Sequence, residues 1–222
     1  MDLEGFKKMQ ILKKLNIDLP ELSPIYTFID FGNVNYWFEK DKQTNDKKIL
    51  SDTEKFAIDI EKLSEFTNVF SMTTRFYYGV NTENRHSIGF IDSVRRYFGK
   101  YKVVTKPIQK IKHYLDNLEL KTNTRTTNYD KNGRYVYIPK CNFDVEICVD
   151  AIRLINNYKT FCIFSSDADF VRLFEYLKKQ NKNIILFKGG HAQNKLIKIA
   201  NHVINAQDIK EYITCIKQKS SS

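Results

Sequence analysis

Two aspartates, Asp167 and Asp169, follow a short apolar run and precede a stripe of apolar residues at helical spacing. This pattern predicts a buried strand over Phe161–Phe164, a turn that carries both acids, and a helix. In open α/β sheets ligands bind beyond the carboxyl ends of the strands, so carboxylates at such a turn are candidate ligands for a hard divalent cation. From these residues alone a structural interpretation is equally good. Ser166 and Asp169 fit a Ser-x-x-Asp capping box, and acids are favoured in a first helical turn.

A third acid, Asp30, ends another β-prone apolar run, Ile25–Ile29, and is closely followed by Asn33. If the two runs are neighbours in a parallel sheet, Asp30 meets Asp167 and Asp169 at one edge of that sheet. Repulsion among the three carboxylates would raise their pKa values unless a cation neutralised the cluster. The residues themselves therefore predict a divalent metal site.

A fourth acid, Asp144, lies near the start of a predicted helix over 143–155. At about 100° per residue, Asp144 shares the core-facing side of this helix with Ile147 and Ala151. We therefore expect its carboxylate to complete the metal site, although an acid at a helix N-terminus also serves as a simple dipole partner. Asp150 is predicted to point away from that side, and we keep it as a supporting residue outside the ligand set.

The composition favours one domain with an anionic partner. The 222 residues carry a formal net charge of +10 and have a pI near 9.3, which is typical of proteins that bind nucleic acid or an acidic membrane surface. No apolar stretch approaches the roughly 20 residues that span a bilayer, and residues 1–20 lack a signal-peptide core, so we expect a cytoplasmic protein. The cysteines and histidines have neither disulfide nor zinc spacing.

Apolar runs alternate with helical stripes along most of the chain, which predicts an α/β fold with a mainly parallel central sheet and right-handed crossovers. We divide the chain into an N-terminal helical extension (1–22), a main domain (23–216) with an insertion at about 108–140, and a disordered tail (217–222). Ser51 and Glu54 fit a capping box, which predicts a helix over 51–66. A closing helix is expected over 209–216.

The insertion has the pattern of a basic β-hairpin arm, because Asn132-Gly133 stands before a β-prone run and residues 125–129 supply a partner strand. Its cationic residues are Lys106, Lys110, Lys112, Lys121, Arg125, Lys131, Arg134 and Lys140. Tyr129, Tyr135 and Tyr137 are interleaved with them, as in a groove for single-stranded nucleic acid. A merely solvated hairpin explains the pattern equally well.

The Lys-rich loop over 34–49 carries three consecutive aromatic residues, Tyr36, Trp37 and Phe38. Such rings either stack on nucleic acid bases or pack beneath their own loop, which is the commoner arrangement. The sequence leaves both open.

Three separated motifs are similar to those of the NYN-domain family, a branch of the PIN-like ribonucleases. Phe28-Ile29-Asp30-Phe31-Gly32-Asn33 resembles the family's Ile-Asp-x-x-Asn motif, Lys140-Cys141-Asn142-Phe143-Asp144 its Lys-Gly-Val-Asp, and Ser165-Ser166-Asp167-Ala168-Asp169-Phe170 its Ser-Gly-Asp-Ser-Asp-Phe. The motifs occur in the family's order, and the similarity covers about residues 24–213. Ser166 replaces a Gly, Ala168 replaces a Ser, and Asn142-Phe143 replaces Gly-Val, but no carboxylate is lost.

The resemblance implies a Rossmann-like, three-layer PIN fold and a metal-dependent ribonuclease. It implies an acidic centre that holds one or two Mg²⁺ or Mn²⁺ ions, made of Asp30, Asp144, Asp167 and Asp169, with Asp30 and Asp167 as inner ligands and Asn33 and Ser165 in support. The substrate would be RNA, single-stranded or structured, and no membrane partner is expected. A homo-oligomer is left open. The residues expected to bind RNA are Lys110, Lys112, Arg125, Lys131, Arg134 and Lys140.

Two rival functions come from other classes. A non-catalytic RNA-binding or complex-forming module on the same fold would bind RNA without cutting it, and its binding would ignore EDTA. A sugar-nucleotide transferase would use Asp167-Ala168-Asp169 as an Asp-x-Asp metal motif, but Asp30 and Asp144 would then have no explanation. A role at a membrane surface accounts for the charge and not for the acids.

Overall fold

Six parallel strands form the central sheet of this computed structural model, which describes residues 3–44, 46–116, 119 and 126–219. In chain order the elements are α1 (Leu3–Lys14), α2 (Leu19–Leu22), β1 (Ile25–Asp30), α3 (Phe31–Val34), β2 (Glu54–Ile58), α4 (Ile60–Asn68), β3 (Thr73–Val80), α5 (Arg85–Phe98), β4 (Val103–Pro107), β5 (Gln109–Tyr114), β6 (Asn128–Asp130), β7 (Gly133–Lys140), α6 (Asp144–Arg153), β8 (Thr160–Phe164), α7 (Val171–Lys179), β9 (Asn183–Lys188), α8 (Asn194–Ile199), β10 (His202–Asn205), α9 (Ala206–Ile213) and β11 (Thr214–Gln218). The strand order β10-β9-β8-β1-β3-β4 confirms the predicted α/β class and its parallel sheet.

Strands β1 and β8 lie at the centre of the sheet, and both of their faces are covered. All five residues of β8 are buried, and four of the six in β1 are buried. The two strands pair in parallel, with Ile29 opposite Phe164 at the last paired position. The residues that follow these strands therefore emerge side by side at one edge of the sheet.

Helices cover the sheet on both faces, which gives the three layers that we expected. Successive residues of a strand point to opposite faces, so Ile29 packs into one apolar cluster with α4, α5 and α9, whereas Phe28 packs into a second cluster with α6, α7 and α8. Phe164 on β8 joins the first cluster and Ile163 the second. The positions of β1 and β8 are thus fixed by packing from both sides.

The helix predicted over 51–66 is wrong in its first half. Residues Glu54–Ile58 form β2, which pairs antiparallel with β11, and the helix α4 begins at Ile60 behind its N-cap Asp59. Ser51 and Glu54 do contact each other, with the Ser51 amide donating to the Glu54 carboxylate at 2.9 Å, but they close a turn before a strand. Residues 54–58 form a strand because they pair with a segment more than 150 residues further along the chain, and local periodicity does not indicate this pairing.

The end of the chain differs from the prediction for the same reason. The closing helix α9 ends at Ile213, and the following residues extend as β11 because β2 offers them a partner. Residues 217 and 218, which we assigned to the disordered tail, therefore lie in a strand. Among the described residues, no helix combines the length and apolarity needed to cross a bilayer.

The insertion forms a separate three-stranded antiparallel sheet in the order β5-β7-β6, which we call the arm (residues 109–114 and 126–140). The predicted hairpin is confirmed: Gly133 has a φ of +124°, pairs with Asp130 and opens β7 after a two-residue turn at 131–132. The partner strand is Asn128–Asp130 rather than 125–129, and a further strand, β5, was not anticipated. Lys121 and Arg125 lie outside the described residues.

Candidate metal centre

The acidic side chains gather where β1 and β8 end. Asp30 is the last residue of β1, and Asp167 lies three residues beyond β8 in a loop that begins with Ser165. Asp144 is the first residue of α6, which packs on the face of the sheet that carries Phe28. The four carboxylates therefore come from three different elements that meet at one edge of the sheet.

Three of these acids are close enough to share one ion. Asp144, Asp167 and Asp169 each offer one carboxylate oxygen, and these atoms lie within 4.8 Å of one another. Asp30 lies outside this group of three but lines the same cavity as Asp144 and Asp167. The structure thus brings together three of the four predicted acids, and it places Asp30 beside them but not among them.

The surroundings of Asp30 disfavour its negative charge. Burial, together with the neighbouring charges of Asp144 and Asp167, raises the pKa of Asp30 to about 6. Hydrogen bonds act in the other direction: the Ser165 hydroxyl donates to the Asp30 carboxylate at 3.1 Å, and the Asn33 amide also donates to it. These contacts are not enough to offset the desolvation of the carboxylate.

The pKa of Asp144 is also raised, for similar reasons. Burial is the largest cause that raises its pKa, and the charges of Asp167 and Asp169 add to it, whereas a side-chain hydrogen bond from Asn142 opposes it. The Asn142 side chain also accepts a bond from the Asp144 amide at 2.7 Å, which fixes the start of α6. We did not predict Asn142 as a supporting residue, although Asn side chains commonly accept a bond from the backbone amide two residues further on, in an Asx-turn.

Ser165 and Asn33 hold the two acid-bearing loops together. Besides its bond to Asp30, the Ser165 hydroxyl accepts the Asp167 amide at 3.2 Å. The side-chain oxygen of Asn33 accepts the Ser166 amide at 3.1 Å and the indole N–H of Trp37 at 2.9 Å. Ser165 thus connects the end of β1 to the loop after β8, and Asn33 connects α3 to the same loop.

The capping box predicted as a structural alternative does not form through Ser166. Its hydroxyl donates to the Gly189 carbonyl at 2.7 Å and accepts the Gly189 amide at 3.0 Å, which ties the loop after β8 to the loop after β9. Asp167 instead accepts the Asp169 amide at 3.0 Å and caps a single 3₁₀ turn over 168–170. Asp167 therefore caps a turn and also faces the other acids.

Asp150 does not point away from the core, and that prediction was wrong. Its residue is only 8% exposed, and its carboxylate binds the Tyr77 hydroxyl at 2.8 Å and both Arg75 and Arg153 at 2.7 Å. Arg75 and Tyr77 lie on β3, so the sequence spacing along α6 did not reveal them. Asp150 joins α6 to the sheet through its ion pair with Arg75 and its hydrogen bond from Tyr77, and it is not among the three clustered acids.

The acids line a cavity of about 400 Å³ between the sheet edge and the base of the arm. Its lining residues include Asp30, Asp144 and Asp167 together with Lys140 and Tyr36. Tyr78 from β3 and Ile108, just before the arm, also line it, and we did not predict either as a site residue. A cavity of this size lies within the range of small-ligand sites.

The basic residues of the arm are partly engaged with other side chains. Lys110 pairs with Glu83 at 2.7 Å, Lys112 pairs with Asp130 at 2.9 Å, and the Arg134 guanidinium lies 5.3 Å from the centre of the Tyr129 ring. Lys131 and Lys140 are exposed. Of the residues expected to bind RNA, only Lys140 lines the acidic cavity among those that the structure describes.

A parallel sheet with acids gathered beyond the carboxyl ends of its central strands places the protein in the PIN-like class of nuclease folds. Within that class the chain belongs to the NYN-domain family, since the model of the NYN domain matches residues 24–210. The match includes all four acids and the whole arm.

Two individual proteins are similar to this chain, one in sequence and one in fold. The chain is 28% identical over 86 residues to the low amplitude and bright protein LabA of Synechococcus elongatus, and the alignment spans 38% of this chain and 46% of LabA. The crystal structure of a protein of unknown function from Vibrio parahaemolyticus has the same fold, with a TM-score of 0.55 and 16% identity over 90% of this chain and 100% of that one. The second likeness concerns the fold alone.

Proposed function

We propose that the protein is a metal-dependent ribonuclease that hydrolyses RNA phosphodiester bonds at the acidic cluster. The observation that carries this proposal is the approach of Asp144, Asp167 and Asp169 to within 4.8 Å of one another, beside the half-buried Asp30. Membership of a nuclease-related family supports the same activity.

The residues present fit a hard divalent cation. The donor atoms are carboxylate oxygens, which Mg²⁺ and Mn²⁺ prefer over nitrogen or sulfur ligands. The raised pKa values of Asp30 and Asp144 come from burial and from neighbouring acids, so a cation would relieve the repulsion that these side chains impose on one another. Asp144, Asp167 and Asp169 would hold the ion, and Asp30 would contribute its charge from the inner side.

A bound Mg²⁺ or Mn²⁺ would supply a Lewis acid that lowers the pKa of a water molecule and offsets charge on the phosphate and the departing oxygen. The chain supplies the positioning. Ser165 and Asn33 keep the loops after β1 and β8 in a fixed relation, so the acids meet the substrate without reorganisation. Lys140 lines the cavity and would bind a phosphate of the incoming RNA.

The test is RNA cleavage by the Asp167→Asn variant with Mn²⁺. This change keeps the size of the side chain and its capping of the Asp169 amide but removes a charge, so we expect a folded protein that has lost at least about 100-fold in cleavage rate. Asp208→Asn is the matched control, because Asp208 is exposed on α9 and does not line the cavity. Cleavage that persists in Asp167→Asn would contradict the proposal.

The non-catalytic alternative makes a different prediction in the same assay. A module that only binds RNA would leave every substrate intact with Mn²⁺, and its affinity would be the same in EDTA. The ribonuclease cuts RNA with Mn²⁺ and stops when EDTA removes the ion.

A further inference from the structure

The three consecutive aromatic residues of the segment after α3, Tyr36, Trp37 and Phe38, differ in how they pack. Phe38 is 2% exposed and packs in the core, and Trp37 stacks on Phe164 with 6.0 Å between ring centres. These two rings pack beneath their own loop. Tyr36 does not, since it is 62% exposed.

The backbone around Tyr36 is well fixed. The Tyr36 amide donates to the Asn33 carbonyl at 3.3 Å, and the Tyr36 carbonyl accepts the Glu39 amide at 3.2 Å. On the next residue, the Trp37 indole donates to the Asn33 side chain at 2.9 Å. The exposed ring therefore stands on a braced turn, so binding a ligand would cost the rotamer freedom of this side chain but little backbone entropy.

Tyr36 lines the cavity that contains the acids. The lining of this 400 Å³ space includes Tyr36 and Tyr78 together with Asp30, Asp144 and Asp167. Burial and the nearby Tyr36 hydroxyl raise the pKa of Tyr78, in keeping with the closeness of the two phenols. Ile108 and Pro139, at the base of the arm, add apolar surface to the same space.

An exposed aromatic ring beside a cluster of acids offers separate contacts for the base and for the phosphate of one nucleotide. The phosphate is attracted by Lys140 and by a cation in the cluster, whereas the flat apolar face of a base gains by stacking on an aromatic side chain. In a duplex both faces of each base are already stacked on neighbouring pairs, so only an unpaired base offers a free face. The cavity thus favours single-stranded nucleic acid.

We propose that Tyr36 stacks on the unpaired base of a nucleotide next to the phosphate held at the acidic cluster, which makes single-stranded RNA the substrate class. This inference rests on the proposed ribonuclease function for the identity of the site. The stack itself is a binding contact and is measurable without cleavage.

The test measures the affinity of a short single-stranded RNA, by fluorescence anisotropy with Ca²⁺ in place of Mn²⁺, for Tyr36 variants. Tyr36→Phe keeps the ring and should bind within about twofold of the unchanged protein. Tyr36→Leu and Tyr36→Ala lose the ring and should bind about 5- to 140-fold more weakly, the factor that one base stack corresponds to. Tyr101→Leu is the matched control, because Tyr101 is 91% exposed and does not line the cavity.

An abasic site placed in turn at each position of the RNA identifies the stacked base. At one position of the RNA, the missing base should weaken binding to the protein without substitutions by the same factor as Tyr36→Ala does. Binding to Tyr36→Ala should not be weakened further by the abasic site at that position. Binding of a fully paired duplex should not change in any Tyr36 variant. Affinity for single strands within twofold of normal in Tyr36→Ala, or effects that add at every abasic position, would overturn the inference.

The outcome is separable from that of the proposed function. If the protein never cuts RNA with Mn²⁺ but the Tyr36 effect and the single abasic position are found, the ribonuclease proposal fails and the base stack stands. If the protein cuts RNA and the Tyr36 variants bind and cut single strands normally, the ribonuclease stands and the base stack fails.

Discussion

Asp30 is the acid whose surroundings most strongly disfavour a negative charge. Its carboxyl has a pKa of about 6, against an ordinary value of 3.8, because it is buried beside Asp144 and Asp167. The folded state therefore binds this proton more tightly than the unfolded state does. Between these two pKa values the carboxyl makes folding less favourable as the pH rises, and its full cost is present above pH 6.

We therefore expect Asp30→Asn to stabilise the metal-free protein. At pH 7.5 in EDTA the free energy of unfolding should rise by on the order of 1–3 kcal/mol, since each pKa unit corresponds to about 1.4 kcal/mol. The advantage should shrink as the pH falls through 6 towards 4, where the native carboxyl is protonated. Urea unfolding of both proteins at the two pH values measures the difference, and a variant that is less stable at pH 7.5 would contradict this assignment.

The acidic residues differ in whether their positions in the fold could be predicted from the sequence. Asp30, Asp167 and Asp169 were identifiable because each directly follows or closely follows a strongly apolar strand. Asp150 was misplaced because its partners, Arg75 and Tyr77, lie on a strand about 75 residues earlier in the chain. A buried charge depends on distant partners, which helical spacing does not identify.

At the scale of elements, Gly189 holds the loop after β9 against the metal centre. A Cβ atom at this position would lie 2.3 Å from Cδ1 of Trp37, so only glycine allows the indole to pack there. That indole donates to Asn33, and Asn33 accepts the amide of Ser166 in the loop that carries Asp167. A change at Gly189 should therefore reach the acids through two neighbouring loops.

Gly189→Ala is expected to displace Trp37 and to destabilise the protein by roughly 1–3 kcal/mol, the usual cost of overpacking. Trp37 is the single tryptophan of the chain, so its emission spectrum reports the displacement directly. Mn²⁺ affinity should fall with it. Gly89→Ala is the control, since a Cβ there meets nothing within 4 Å on α5, and the change should be neutral or slightly stabilising. An unchanged Trp37 spectrum in Gly189→Ala would contradict the expected displacement.

The elements themselves were predictable where the interaction that forms them is local. The parallel strands and the helices α5 and α6 have clear apolar periodicity, and the hairpin turn has its Asn132-Gly133 signal. The small β2–β11 sheet and strand β5 were missed because each depends on a partner whose position only the fold supplies. Binary patterns do not encode such pairings.

At the scale of the whole molecule, the net charge of +10 is not evenly available to an anionic ligand. Lys110 and Lys112 on the arm already pair with Glu83 and Asp130. Lys140 lines the cavity, and it has no ion pair within the described part of the chain. The total charge therefore overstates the contribution of the arm residues to RNA binding.

We expect Lys140→Gln to weaken RNA binding more than Lys110→Gln does. Loss of one phosphate contact should reduce the slope of log affinity against log salt by about 0.7 for a single strand, and Lys110→Gln should change it by less than half of that. Affinities measured at several salt concentrations give both slopes. Equal effects of the two variants would show that the cavity-lining position of Lys140 has no special role.

The most direct test of the proposed metal centre is to measure the binding of Mn²⁺ to the metal-free protein by isothermal titration calorimetry. We expect saturable binding at the acidic cluster, weakened at least about tenfold in Asp167→Asn and unchanged in Asp208→Asn. If the unchanged protein does not bind Mn²⁺, or if Asp167→Asn binds it equally well, the gathered carboxylates are not a metal centre.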